Sequence, residues 1–309
     1  MNNDKLQLIE AIEQLNIENR QLRSSKEYKL GKKMYSLMEI IKKMDIKQLI
    51  AKVSKKRKNK KEQKYLQIHL PQDNGVEYEE NIDTNKKIVI YTCITGNYDN
   101  IVEPLYIPEN VKYVLYTNSQ KIKTSKWEIR EIPESISKLE NNILINRYIK
   151  MHPYELFKNE YDYAIYIDGN IRTVSDISSF VTKVKPDTGL ALHRHYIRDC
   201  VYMEAEACKL YKRGNLKKLQ EQIKRYEIEK MPKHYGLLEA NVIVTDLKNE
   251  IAVSIQNNWW EEFINSQSNR DQISLIYVLW KMGYNVENIG NLGYNVHNNK
   301  KIEILSHTK

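Results

Sequence analysis

The sequence predicts an α/β domain with a mostly parallel central sheet, preceded by a helical and basic N-terminal extension. Apolar segments rich in β-branched and aromatic residues alternate with helical patterns over about 225 residues, which is typical of such a sheet. The most apolar segment, residues 163–167, runs directly into the polar turn Asp168-Gly169-Asn170. Residues 29–64 carry fourteen Lys or Arg against three acids, whereas the whole chain has a net charge of +9. The basic character therefore belongs to the extension, and the rest of the chain is nearly neutral.

Length, composition and cysteine usage narrow the classes of protein that fit. The 309 residues suffice for one large domain with an appendage, and 41% hydrophobic residues suffice for a packed core. Cys93, Cys200 and Cys208 form no Cys-x-x-Cys pair, so neither a disulfide framework nor a zinc site is predicted. No segment is apolar over the roughly eighteen residues of a membrane span, and residues 1–5 open no secretory signal. A cytoplasmic location is the expectation.

Residues 1–23 are predicted to form a short coiled-coil helix. Apolar residues fall on alternating four- and three-residue steps, with one asparagine in the same seam: Leu8, Ile12, Leu15, Asn19 and Leu22. A single seam asparagine is a known device for fixing the register of two-stranded coiled coils. Fewer than three heptads is marginal for a stable zipper, so two interpretations stay open. The helix forms a homodimer, or it packs on its own chain.

Residues 24–64 form a basic amphipathic segment, and residues 65–85 a linker with Pro71 and Gly75. Leu30, Met34 and Leu37 fall on one helical face, with lysines on the opposite side. Such a helix suits the surface of an anionic membrane, where each basic residue contributes roughly 1 kcal/mol. The lysine tract at residues 55–61 is either a lipid-headgroup patch or a solubilising tether. Because the domain itself is nearly neutral and has no recognisable reader motif, nucleic-acid binding is not expected.

The domain, residues 86–309, opens with a strand at residues 87–92 that runs into the polar turn Cys93 to Asp99. This turn is neither a Walker A loop nor G-x-G-x-x-G, so an ATPase or a dinucleotide enzyme is not supported. Further elements follow in alternation. Strands are predicted at 112–117, 127–132, 163–167, 188–193 and 236–244, and helices at 141–152, 201–211, 216–229, 259–265 and 271–282.

Asp168 and Asn170 follow the central strand at the edge where ligands bind in open α/β sheets. Hard cations that bridge phosphates take oxygen ligands, usually one or two carboxylates plus the phosphates. The sequence therefore predicts a divalent ion, Mg²⁺ or Mn²⁺, under a nucleoside diphosphate. An ordinary Asp-Gly-Asn turn is the competing interpretation.

Taken together, the domain resembles the TOD/MUCI group of glycosyltransferase-like domains. Five short motifs, in order along the chain, carry the resemblance: Tyr91-Thr-Cys-Ile-Thr-Gly-Asn-Tyr-Asp99, Arg147-Tyr-Ile-Lys-Met-His-Pro153, Tyr166-Ile-Asp-Gly-Asn170, His195-Tyr-Ile-Arg-Asp-Cys-Val-Tyr-Met-Glu-Ala205 and Arg270-Asp-Gln272. The resemblance implies a GT-A-like single domain that binds a nucleotide-sugar. Such folds hold a divalent ion with Asp-x-Asp, whereas this chain has Asn170 at the second position, which brings no charge.

The resemblance also implies roles for individual residues. Nucleoside contact falls to the ends of the first two strands, the alternative being ordinary turn chemistry: Thr92, Thr95, Gly96, Tyr98, Asp99 and Asn118. Arg147 and Lys150 would bind the diphosphate, the alternative being an exposed helix face. The sugar and acceptor would meet a later set: His195, Arg198, Glu204, Glu239, Arg270 and Asp271. Asp271 is expected beside the reacting carbon, against the alternative of a helix N-terminal acid.

His297 is either a late metal ligand or a surface residue. The predicted function is a glycosyltransferase that moves a sugar from a nucleotide-sugar to a glycan or lipid-linked acceptor in surface polysaccharide or capsule synthesis. The catalytic domain would sit at the inner face of the membrane. The alternative is a non-catalytic module that binds nucleotide-sugars or glycans.

Overall fold

The structure is a computed structural model that describes residues 3–43, residue 78 and residues 85–307. The chain divides into two compact units, Met1–Ile68 and His69–Lys309. The lysine tract at residues 55–61 and nearly all of the predicted linker lie outside the described residues. Within the described part of the chain, no helix has both the length and the apolar character needed to cross a membrane.

In residues 3–43, the described part of the first unit, there are two helices, α1 Asn3–Ser24 and α2 Lys26–Lys43. Ser25 separates them, and its hydroxyl accepts a hydrogen bond from the Tyr28 backbone N–H at 3.1 Å, which caps the start of α2. Leu15 and Leu22 of the predicted seam are both 63% exposed. Helices are therefore confirmed in the extension, whereas self-association through the seam stays a prediction.

The second unit contains nine strands in its described part. They are β1 Ile88–Ile94, β2 Val111–Thr117, β3 Glu128–Arg130, β4 Tyr163–Ile167, β5 Ile171–Thr173, β6 Leu190–Arg194, β7 Leu238–Asp246, β8 Gly290–Asn291 and β9 Ile302–Ile304. Seven form one sheet in the order β3-β2-β1-β4-β7-β6-β8, and β5 pairs with β9 in a separate two-stranded sheet. β7 runs antiparallel to both of its neighbours, whereas the other pairs in the large sheet are parallel. The predicted mostly parallel α/β fold is confirmed.

The central strands are apolar on both sides because both faces of the sheet are covered. All seven residues of β1 are buried. Val89 and Tyr91 pack in one hydrophobic cluster, and the alternating Ile88 and Ile90 pack in the other. This arrangement explains why the strands form nearly continuous apolar runs in the sequence.

Seven helices of the second unit are described. They are α3 Glu134–Ser137, α4 Asn142–Met151, α5 Pro153–Phe157, α6 Val201–Tyr211, α7 Leu216–Ile228, α8 Glu250–Ser266 and α9 Asp271–Lys281. α8 begins nine residues before the helix predicted at 259–265. The Asn249 side chain accepts hydrogen bonds from the N–H groups of Ile251 and Ala252, both at 3.0 Å, and so caps the longer helix. The polar residues at 256–258 hide the apolar spacing that continues from Ala252 and Ile255, which are both buried.

One edge of the sheet gathers the predicted site residues. The carboxyl ends of β1, β2, β4 and β6 lie there because these strands are parallel. The start of β7 reaches the same edge because β7 runs the other way. A main-chain hydrogen bond of 2.9 Å from His195 N to Leu237 O joins the end of β6 to the start of β7. Opposite ends of neighbouring strands thus supply side chains to one place.

Candidate functional site

One hydrogen-bond network joins three of the predicted nucleoside-binding residues. Two of them lie in the loop after β1 and the third follows β2. Thr95 Oγ1 donates to Asn142 O at 2.9 Å, and the Gly96 N–H donates to Asn118 Oδ1 at 3.0 Å. Asn118 Nδ2 in turn donates to Asn142 Oδ1 at 2.8 Å. Gly96 has φ +63, and a Cβ there would lie 2.7 Å from Asn142 Nδ2, so the position requires glycine. These are the contacts of an ordered turn, and nucleoside binding by this loop stays a prediction.

The other three predicted nucleoside contacts differ in their surroundings. Tyr98 is exposed, and its ring centroid lies 5.3 Å from that of His307. Asp99 Oδ2 lies 2.6 Å from His307 Nδ1. Thr92 is buried, and its Oγ1 has no hydrogen-bond partner among the described residues. The sequence analysis did not single out His307, since a lone histidine near the end of the chain carries no pattern.

The Asp168-Gly169-Asn170 turn is held on both sides by main-chain and side-chain hydrogen bonds. The Asp168 N–H donates to Asn241 O at 2.9 Å. Asn170 Nδ2 donates to Leu305 O at 2.8 Å, and the Leu305 N–H donates to Asn170 O at 2.9 Å. A Cβ on Gly169 would lie 2.8 Å from Ile94 Cγ1, so the chain passes β1 too closely for a larger residue.

The chemistry of this turn fits a sparsely ligated divalent cation. Asp168 is about one third exposed, and the Asn170 amide turns its nitrogen to Leu305, which leaves its oxygen as the remaining acceptor. Mg²⁺ is typically bound by one or two carboxylates plus substrate phosphates and water. In the described ranges, no group of three or more His, Cys, Asp or Glu is arranged around a metal position. Metal binding by Asp168 and Asn170 stays a prediction.

Lys150, Arg147 and Asp271 form a buried charge cluster behind that turn. Lys150 Nζ donates to Asp271 Oδ2 at 2.7 Å and lies 3.7 Å from Asp168 Oδ1. Arg147 Nε lies 3.0 Å from Asp271 Oδ2. Burial alone would raise the pKa of Asp271, but Arg147 and Lys150 outweigh it and hold that pKa well below its usual range. Asp271 is therefore ionised at pH 7, and Lys150, at 2% exposed, is not on an open helix face.

A second charge cluster joins α6, α9 and the segment after β6. Arg198 Nε donates to Glu204 Oε2 at 2.6 Å, and Arg270 Nη2 donates to Glu204 Oε1 at 3.2 Å. Burial raises the pKa of Glu204, but Arg198 and Arg270 outweigh it and lower the pKa overall. His195 Nδ1 accepts the main-chain N–H groups of Ile197 and Arg198, at 3.2 and 3.0 Å. Burial lowers the pKa of His195 to about 4, so the ring is neutral at pH 7.

Glu239 lies beside the second cluster but differs from the other acids of the site. No lysine or arginine of the described residues lies within ion-pair distance of its carboxyl group. Its oxygens lie 3.5 Å from His195 Nε2 and 3.5 Å from Gln272 Nε2. Burial, followed by the charge of Glu204, raises the pKa of Glu239 to about 7. The side chain is 16% exposed, so Glu239 is a partly accessible carboxyl group that exchanges its proton near neutral pH.

The structure thus brings together most of the residues that were predicted to bind the sugar and the diphosphate. Two residues without a predicted role lie with them, Gln272 and Asn241. Gln272 Nε2 donates to Leu238 O at 2.7 Å, which ties the start of α9 to the start of β7. Asn241 lies opposite Asp168 on the neighbouring strand. The sequence shows the spacing Glu239-Ala-Asn241. It does not show that the fold brings these residues close to Asp168. His297 is exposed, with its ring 5.5 Å from that of Tyr196.

Comparisons with known proteins give a family match within the second unit. A model of the family described as TOD1/MUCI70, glycosyltransferase-like domain, matches residues 140–307, just over half of the chain. No curated protein matches the chain.

Three solved structures illustrate the likeness. The apo structure of WbbM, a bifunctional glycosyltransferase, is 13% identical over 73% of this chain and 41% of that one, with a TM-score of 0.41. This chain therefore spans only about two fifths of that protein. Mouse xyloside xylosyltransferase 1, in its apo form, is 9% identical over 67% of this chain and 84% of its own, with a TM-score of 0.42. The galactosyltransferase LgtC, in complex with donor and acceptor sugar analogs, is 12% identical over 67% and 73%, with a TM-score of 0.39.

Proposed function

The chain belongs to the TOD1/MUCI70 glycosyltransferase-like domain family, and on that premise we propose that it moves a sugar from a nucleoside-diphosphate donor to a glycan or lipid-linked acceptor. Family membership supports a general glycosyltransferase role. One observation carries the finer proposal. Glu239, a partly exposed carboxyl group with a pKa near neutrality, lies at the same sheet edge as Asp168, the buried Lys150 and the partly buried Arg147.

The donor diphosphate would lie over the turn at Asp168, with its nucleoside toward the loop after β1. Transfer requires that the negative charge on the leaving diphosphate be neutralised. Arg147 is only partly buried and is directed at Asp271, so its guanidinium is the nearer candidate for direct phosphate contact. Lys150 is enclosed between Asp168 and Asp271 and would act through its charge.

Asp168 and Asn170 would hold a divalent cation at the diphosphate. When bound, such an ion would offset the charge that develops on the leaving group. Asp168 is the charged ligand, and the Leu305 carbonyl orients the Asn170 amide so that its oxygen is left to accept or ligate. Lys150 Nζ lies 3.7 Å from Asp168 Oδ1 and would help to hold that side chain in position.

Glu239 is the group that we assign to the acceptor hydroxyl. As the acceptor oxygen bonds to the anomeric carbon, the bond from that carbon to the diphosphate breaks and the hydroxyl proton passes to a base. A base works best when its pKa lies near the operating pH, and Glu239 meets that condition. Asp271, which the sequence analysis favoured beside the reacting carbon, is ion-paired to two cations and would instead hold Lys150 and Arg147 in place.

Donor binding by the full-length protein tests this proposal. Nucleoside diphosphates and nucleotide-sugars would be screened by thermal shift, with and without Mn²⁺. A ligand at about a hundred times its Kd adds roughly 2.7 kcal/mol of stability, so a true donor should raise the melting temperature measurably. A shift that grows with Mn²⁺ and is lost in Asp168→Ala supports the metal assignment, and a shift indifferent to Mn²⁺ contradicts it.

Two further outcomes bear on the function itself. Donor binding without hydrolysis or transfer to any acceptor would favour the alternative of a non-catalytic nucleotide-sugar or glycan-binding module. The absence of a shift with every nucleotide and nucleotide-sugar would contradict the proposal.

We also propose that the extension attaches the enzyme to the inner face of an anionic membrane and forms a homodimer. Leu30 and Met34 of α2 are 59% and 56% exposed, in a helix that carries six lysines against two glutamates. This combination favours an anionic lipid surface. The exposed Leu15 and Leu22 of α1 favour a second copy of the chain across the seam. A lipid-linked acceptor, as in capsule or other surface polysaccharide synthesis, would be met at such a surface.

Deletion of residues 1–65 tests both the membrane proposal and the dimer proposal. We expect the full chain to sediment with phosphatidylserine vesicles at low salt and to have the mass of a dimer by light scattering. The shortened protein should stay in the supernatant and be monomeric, because the exposed apolar side chains of the extension and its lysine-rich segment are removed. Its donor affinity should match that of the full chain. Unchanged sedimentation would contradict the membrane proposal, and an unchanged mass would contradict the dimer.

A further inference from the structure

We propose that Asn241 accepts a hydrogen bond from a hydroxyl group of the donor sugar and thereby helps to select that sugar. The inference rests on the proposed function and adds a residue that the sequence did not assign. Three observations carry it: the position of Asn241 on β7, the burial of its unpaired oxygen, and its two neighbours, Asp168 and Glu239.

The backbone of β7 places Asn241 beside the Asp168 turn and two residues from Glu239. The pairing of β6 with β7 shifts register between Leu192 and His193, opposite this stretch, so the pairing with the Asp168 turn locates Asn241 and strand alternation does not. Val242 pairs with Ile167, which puts Asn241 directly opposite Asp168. The Asp168 N–H donates to Asn241 O at 2.9 Å and holds the two backbones together at that point. Asn241 therefore lies between the carboxylate at the diphosphate position and Glu239, the proposed proton acceptor.

The side-chain oxygen of Asn241 is buried, and no described residue donates a hydrogen bond to it. Buried acceptors are nearly always paired in proteins, so an unpaired one on a residue next to the Asp168 turn calls for an explanation. A carbonyl oxygen accepts a hydrogen bond and cannot donate one. The partner must therefore carry a donor hydrogen, and a sugar held between Asp168 and Glu239 presents hydroxyl groups at that position.

For the same reason, the protein is expected to discriminate between donor sugars with and without that hydroxyl group. A sugar that lacks the hydroxyl in question would leave a buried carbonyl oxygen without a partner, and sites built in this way reject such analogues strongly. Asn241 would thus favour hexoses with that hydroxyl over the corresponding deoxyhexoses. It would have no influence on the nucleoside or the diphosphate, which lie toward β1 and Asp168.

Isothermal titration of the full-length protein separates the sugar from the nucleotide. Wild type and Asn241→Ala would each be titrated with nucleoside diphosphates and with the corresponding nucleotide-hexoses and nucleotide-deoxyhexoses. We expect Asn241→Ala to bind the nucleotide-hexose about tenfold more weakly, as for one lost hydrogen bond, and the nucleoside diphosphate within about twofold of wild type. The variant should also lose the preference for the hexose over the deoxyhexose.

Gln256→Ala provides a matched control. Gln256 is likewise a buried amide whose oxygen has no partner, but its Nε2 donates to Thr245 Oγ1 at 2.9 Å, at the far end of β7. We expect this variant to change stability without separating the two classes of ligand. Melting temperatures of both variants show that each is folded.

Two results would overturn the inference while leaving the proposed function intact. Equal weakening of nucleoside diphosphate and nucleotide-hexose would mean that Asn241 acts through the Asp168 turn. Unchanged affinity for both would mean that it does not contact the sugar. Failure of wild type to bind any nucleotide-sugar would instead overturn the proposed function, and this inference with it.

Discussion

Replacement of Glu239 by glutamine is expected to lower the rate of sugar transfer by about 10²- to 10⁴-fold, the usual contribution of a positioned general base. Glutamine keeps the shape of the side chain but cannot take the proton of the acceptor hydroxyl. Folding should be little affected, because Glu239 has no lysine or arginine partner among the described residues. Initial rates of donor hydrolysis, and of transfer once an acceptor is known, at saturating donor provide the measurement.

The pH dependence of the transfer rate tests the same prediction in a second way. Only the ionised carboxylate accepts a proton, so the wild-type rate should rise with pH through the pKa of Glu239, about 7, and then level off. The residual rate of Glu239→Gln should lack that rise. Glu261→Gln, at an exposed position on α8, is the control and should retain the wild-type profile. A Glu239→Gln rate within about fivefold of wild type would exclude Glu239 as the base.

Replacement of Asp271 by asparagine is expected to lower the free energy of unfolding by about 3–5 kcal/mol, the usual loss when one partner of a buried ion pair is removed. Lys150 is 2% exposed and would be left with its charge but without the carboxylate at 2.7 Å. Arg147 would lose the same partner. Chemical denaturation at pH 7 measures the change.

The sign of its pH dependence follows from the direction of the pKa shift. Because the folded pKa of Asp271 is depressed, its contribution to stability is fully present above its ordinary value and is lost as pH falls through the folded value. Asp271→Asn should therefore be less sensitive to acid than wild type. Glu134→Gln, which removes an exposed ion pair with Lys138, should cost under about 1 kcal/mol. A loss at Asp271 no larger than at Glu134 would contradict the buried-cluster interpretation.

The sequence allowed the sheet to be predicted because its central strands are apolar on both faces, as in β1 and β4. It also predicted where a candidate site would lie, since a polar turn after an apolar strand falls at the ligand-binding edge of such a sheet. The roles within the site were harder to predict. Asp271 and Glu239 are both acids near later elements, and their difference lies in the cations around them. Lys150, which pairs with Asp271, stands 121 residues earlier in the chain.

Contacts of that kind depend on tertiary packing and leave no local pattern. The link between Asn170 and Leu305, 135 residues apart, is another example. The early start of α8 was missed for a different reason, because the polar residues at 256–258, which include the buried Gln256, interrupt the apolar helical period.

Because β7 runs antiparallel to its neighbours, its two ends are under different structural constraints. Its first residues, around Glu239 and Asn241, reach the site, whereas Val242 and Val244 are fully buried in the sheet. Under the proposed function, substitutions in the first part would change the contact with the sugar without disturbing the core, while the second part tolerates little change in volume. The sugar specificity and the stability of the domain would then depend on separate halves of one strand.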